Sequence, residues 1–110
     1  MFGNQFTKEA VIICEGPLSA IAVGRGAAAT FGLAVTQSQL NWMADYYRRV
    51  ICFDNEPRAV DKAREIADNL AAFPGETFVV TLDAKDPAEA LRTASGRSEI
   101  KKLRQFAFGR

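Results

Sequence analysis

What most constrains this chain is a rhythm of short apolar runs separated by stretches with helical spacing. AVIIC (residues 10–14), VICF (50–53) and TFVVTL (77–82) are dominated by apolar side chains, many of them β-branched. A strand that is apolar on successive positions needs cover on both faces, as in a parallel sheet with helices packed on either side. AAATF (27–31), closed by Gly32, reads as a further short strand. Pro17 suits the first turn of a helix over 17–24, which Gly24 can end. Thr36, with Gln39 three residues on, has the form of a capping box for a helix over 37–48. Leu40, Met43, Ala44 and Tyr47 form the apolar stripe of that helix. The helix over 57–72 carries Val60, Ala63, Ala67 and Leu70 at helical spacing. Pro74-Gly75 makes a turn. Asp86 is placed as N-cap, with Pro87 first inside, for a helix over 86–94. Alternation of this kind predicts right-handed crossovers and one α/β domain built on a parallel sheet.

At 110 residues and 48% hydrophobic content, the chain is long enough for one core and too short for two. No apolar run approaches the roughly 20 residues of a membrane span. The opening MFGNQFTKEA has no signal-peptide core, so no membrane partner is expected and the chain reads as cytoplasmic. Cys14 and Cys52 lie inside strand-like runs and read as buried, reduced core thiols. There is no CxxC pair and no histidine, which argues against a zinc site and removes most familiar catalytic triads. Catalysis would have to use carboxylates, lysine, tyrosine or a metal. Charge is uneven: of 14 basic and 13 acidic residues, five basic and one acidic lie in 97–110. That segment, with Ile100, Leu103 and Phe106 on one face, reads as a basic amphipathic helix; contact with nucleic acid through its basic face is the alternative.

The acids fall in a pattern. In a parallel sheet all strand C-termini share one edge, where ligands bind. Glu15 ends the first strand, Asp54 and Glu56 follow the third, and Asp83 and Asp86 follow the fourth. Several carboxylates without histidine or an obvious counter-charge repel one another unless a cation joins them. Mg²⁺ takes a few carboxylates and keeps positions for water and phosphate. Each acid by itself also suits a loop or a helix N-terminus; the joint placement favours a metal site. Lys85 is a candidate to neutralise a phosphate or a leaving group.

The pieces VIICEG, ATFGLAVTQSQL, VICFDNEPRAVDKAREIADNL and KDPAEAL, in this order and spacing, resemble the Toprim domain, and among its branches the bacterial and phage DNA primases. The resemblance covers residues 8–91; the Toprim domain is accordingly expected over 1–94, with 95–110 a basic C-terminal helix or the start of a further segment. It implies a three-layer α/β/α fold whose four parallel strands are ordered 2-1-3-4. It implies acid–base or metal-binding chemistry at Glu15, Mg²⁺ or Mn²⁺ held by Asp54 and Glu56, and help from Asp86. The activity implied is nucleotidyl transfer on a DNA template and primer with nucleoside triphosphates, by a catalytic portion of a larger primase or primase-helicase, or a standalone domain working with partners such as a helicase. A Toprim nuclease, or a degenerate module that only binds nucleic acid or a replication partner, is the alternative.

The chain departs from the family pattern at several points. Ser19 stands where an Asp is usual, Glu56 is a methylene longer than the usual second Asp, and only Asp86 remains of a common Asp-x-Asp. Ala59 and Val60 replace a frequent Gly and Arg. Two other signals are discounted. GRGAAA (24–29) matches GxGxxA, but its glycines precede a strand instead of following one. Trp42, Tyr46 and Tyr47, read on one helix, could stack bases but flank an apolar stripe and suit packing better.

Overall fold

The computed structural model describes residues 8–109. Four strands, β1 (Lys8–Cys14), β2 (Ala27–Ala29), β3 (Tyr46–Ile51) and β4 (Glu76–Val79), form one parallel sheet in the order β2-β1-β3-β4. The expected strand order is therefore observed. Five helices connect and cover them: α1 (Pro17–Val23), α2 (Gln37–Ala44), α3 (Pro57–Leu70), α4 (Pro87–Ala90) and α5 (Ala94–Phe108).

The two-sided burial follows from strand alternation. Val11 and Ile13 of β1 join Ile51 of β3 on one face, packed against Met43 of α2 and Ala59, Ala63, Ile66 and Leu70 of α3. Ile12 and Cys14 join Val50 on the other face, against Val23 of α1, Ala90 of α4 and Ile100, Leu103 and Ala107 of α5. Each fully buried aliphatic side chain stabilises this sandwich by about 1.5–3 kcal/mol. Register ties the layers together: Ile12 lies opposite Ala27 on one side and Val50 on the other, and Val50 lies opposite Phe78.

Several local expectations are corrected. The second helix ends at Ala44, and Tyr46–Arg49 belong to β3. Lys8 and Ala10 of β1 pair with Tyr46 and Arg48, and this pairing overrides the helical pattern. Tyr46 and Tyr47 are thus on a strand, and Tyr46 packs edge-on against Trp42, 5.0 Å between ring centres, with the Lys8 ammonium over both rings. On α5, Ala107 is fully buried whereas Phe106 stays 45% exposed and leans edge-on against Phe78. The capping box is present as expected, with Thr36 and Gln39 bonded reciprocally.

Two glycines are required by close approach. Gly75, at φ +105°, turns the chain into β4 where a Cβ would collide with the Tyr47 carbonyl. At Gly96 a Cβ would sit on the Ala90 carbonyl, so α4 and α5 touch backbone to backbone. Arg49 is 1% exposed; its guanidinium donates to the carbonyls of Tyr46 (2.8 Å) and Pro74 (3.0 Å) and to the Thr77 hydroxyl (2.9 Å). No helix among the described residues is long and apolar enough to cross a membrane.

Candidate active site

The strand order sets the site. Because β1 and β3 are neighbours, the segments leaving their C-termini diverge, β1 toward α1 and β3 toward α3, and a crevice opens between them. Glu15 leaves β1 at this crevice. Its backbone carbonyl is held by the Gly32 amide (3.1 Å) and the Thr30 hydroxyl (3.4 Å) from the turn after β2. Asp54 leaves β3 opposite it.

The two carboxyl groups interact directly. Glu15 has its pKa raised, first by burial, then by the charge and the side chain of Asp54, and more weakly by Glu56; the Asp54 backbone amide works the other way. Asp54 is raised too, first by burial and then by the charges of Asp86 and Glu56, while the Glu15 hydrogen bond and the Lys85 ammonium oppose the shift. Each carboxyl therefore takes a proton more readily than it would in water. Glu15 Oε1 is buried with no hydrogen-bond partner. A buried oxygen in that state costs free energy that some partner would recover.

The loops carrying the remaining groups are fastened together by Asn55. Its backbone amide donates to the Lys85 carbonyl (2.7 Å), and its side-chain amide donates to the carbonyls of Leu82 (2.8 Å) and Asp83 (3.3 Å). Asn55 holds the β3–α3 loop to the β4–α4 loop, and so brings Lys85 and Asp86 to the crevice. Glu56 and Asp86 have other work as well. Glu56 caps α3 by accepting from the Ala59 amide, and Asp86 caps α4 by accepting from the Glu89 amide (2.8 Å). Asp83 is exposed, its amide held by Glu99 of α5 at 3.1 Å.

All five sequence-derived site residues, Glu15, Asp54, Glu56, Lys85 and Asp86, therefore lie on loops at one rim. Glu15 and Asp54 meet; the charges of Glu56, Asp86 and Lys85 are felt there. Among the described residues, no three acidic, cysteine or histidine side chains converge in a geometry that could hold a metal ion. The donor set nonetheless suits a hard cation: it is all carboxylate, two of its members hold their protons abnormally strongly, and one buried oxygen lacks a partner. Cys14 and Cys52 lie just beneath, with burial as the main cause of thiol pKa values pushed up to about 12, so they remain neutral core groups. The sequence reading missed Asn55 and Thr30. A carboxamide between two acids and a threonine closing a strand were the available signals.

No protein-family model and no curated protein matches the chain. Its fold is similar to that in the crystal structure of the Aquifex aeolicus primase, zinc-binding and RNA polymerase domains, with a TM-score of 0.73 and 22% sequence identity. The similarity covers 88% of this chain and 25% of that one, so the chain has a primase-like fold and spans about a quarter of the length of that solved chain.

Proposed function

We propose that the chain is the Toprim catalytic module of a DNA primase or primase-helicase, carrying out metal-dependent nucleotidyl transfer on nucleic acid. The observation that carries this reading is the meeting of Glu15 and Asp54 at the β1–β3 crevice with a buried carboxylate oxygen left without a partner. Mg²⁺ or Mn²⁺ would be held by Glu15 and Asp54, with Glu56 and Asp86 turning from their helix caps to join them. A bound divalent ion would offset the charge of a triphosphate and favour attack by a primer hydroxyl.

The chain's own groups divide the remaining tasks. Glu15, whose carboxylate takes a proton more readily than usual, suits acid–base work at its free oxygen. Asp54 raises the proton affinity of Glu15 by its charge and would hold the metal beside it. The exposed Lys85 is placed to meet phosphate oxygens, and Asn55 fixes the loop that presents it. The partners on this reading are a DNA template and primer, nucleoside triphosphates, and further domains or replication proteins such as a helicase. A binding-only module is the second reading, favoured by the use of Glu56 and Asp86 as helix caps.

Calorimetric titration with Mg²⁺ and Mn²⁺, with and without a nucleoside triphosphate, tests the proposal. Saturable binding that Asp54→Asn abolishes is the expected result. Absence of binding under both conditions would overturn it. Metal-dependent primer synthesis would then separate the primase from a nuclease that nicks DNA or RNA. Nucleic-acid or partner binding that survives EDTA would identify the binding-only module.

A further inference from the structure

The turn after β2 puts an aromatic residue into a conformation normally left to glycine. Among the described residues, Phe31 is the non-glycine with positive φ, at +65°. The left-handed region is unfavourable for any L-residue, and a bulky side chain there is a genuine outlier. The fold gains no burial in exchange, because Phe31 is 77% exposed.

Its neighbours hold the strain in place. The Thr30 amide donates to the Cys14 carbonyl (3.0 Å), and the Thr30 hydroxyl bonds the Gly32 carbonyl (2.6 Å). The Gly32 amide donates to the Glu15 carbonyl, and Gln39 of α2 donates to the Thr30 carbonyl (3.1 Å). Phe31 therefore sits between two residues that both bond the backbone carbonyl of Glu15, on the β2 side of the rim.

Strain that the surroundings over-determine, placed beside candidate reacting groups, points to a function. An exposed ring next to a site suited to metal and phosphate offers a flat π-face where a base attached to that phosphate can stack. We propose that Phe31 is a stacking platform for the nucleobase of a nucleotide or strand whose phosphates lie at Glu15 and Asp54. This rests on the phosphate-chemistry reading of the rim given above.

The test compares probes with and without a base on the full chain in Mg²⁺. The mononucleotide arm uses a nucleoside triphosphate against inorganic tripolyphosphate. The strand arm uses a short oligothymidylate against an abasic strand of equal length. Phe31→Gly is the main variant, since glycine accepts the backbone angle and no core contact is lost; Phe31→Trp is the rescue. Loss of one stacked base predicts roughly 5- to 150-fold weaker binding. The expected result is that Phe31→Gly weakens a base-bearing probe by this factor, leaves its baseless counterpart unchanged, and melts no lower than the wild type, while Phe31→Trp restores affinity. The arm that responds identifies the source of the base. Equal binding by wild type and Phe31→Gly in both arms overturns the stacking role and leaves the rim reading intact. Wild-type binding of neither tripolyphosphate nor nucleotide overturns both.

Discussion

Arg49 and the Glu15–Asp54 pair are both charged groups taken partly or wholly out of water on the same sheet, and the fold treats them differently. The Arg49 guanidinium reaches back to the amino end of the strands, where three neutral oxygens receive it and close the turn into β4. Burial lowers its pKa, yet its donors are well matched. At the carboxyl end the acids are pressed together, their pKa values are raised, and one oxygen goes without a partner. Arg49 is matched by fixed dipoles, whereas the Glu15–Asp54 pair leaves one buried oxygen unmatched, as groups at functional sites often are. The two ends can therefore be told apart by what substitution does to stability and to binding.

The largest expected effect is at the rim. Asp54→Asn should weaken Mg²⁺ affinity and any nucleotidyl transfer by about 100-fold or more, without lowering the melting temperature of the metal-free protein. Calorimetry and thermal melts in EDTA check both halves; a rim built only for stability would give the reverse. At the other end, Arg49→Met should leave metal binding nearly intact but cost about 3 kcal/mol, because three oxygens lose their donor. Urea unfolding would show this as a lower midpoint at constant slope. Asn55→Ala sharpens the contrast, since it touches both properties: roughly tenfold in metal or nucleotide affinity through misplaced loops, and about 1 kcal/mol in stability.

The smallest expected effect is a pH dependence with a definite sign. Glu15 is more easily protonated when folded, so its contribution to stability is complete below its unfolded pKa and is lost as pH rises through the folded value. Glu15→Gln has no such loss. In EDTA the two proteins should melt together near about pH 4, with the variant melting higher as pH approaches neutrality. Saturating Mg²⁺ should reverse that order, because a ligand bound only by the native state stabilises it. A variant less stable at neutral pH in EDTA would show that Glu15 is a structural group after all.

The sequence made the architecture legible where one local signal sufficed. The apolar run Val11–Cys14, the α3 stripe through Ala63 and Leu70, and the caps at Thr36 and Asp86 are readable because each depends on near neighbours. The rim acids were readable because a parallel sheet sends all strand ends one way. Tyr46–Arg49 misled because their strand state is imposed by pairing with β1, residues far earlier in the chain. The role of Asn55 was not legible for a related reason, although a carboxamide between two acids marks the position: its partners are backbone oxygens on a loop distant in sequence. Phe31 gave no sign, since a backbone angle is not written in residue type unless the residue is glycine.

The Asn55 fastening also has a kinetic side. The Asn55 amide donates to the Lys85 carbonyl, and the Asp83 amide to the Glu99 carboxylate of α5, so hydrogen-bonded amides tie the two rim loops and the last helix together. Where the tied loops open as one unit, both protons exchange through that opening. The two amides should therefore exchange at a common rate in the free protein and slow together when a ligand arrives, although only one of the loops carries Asp54.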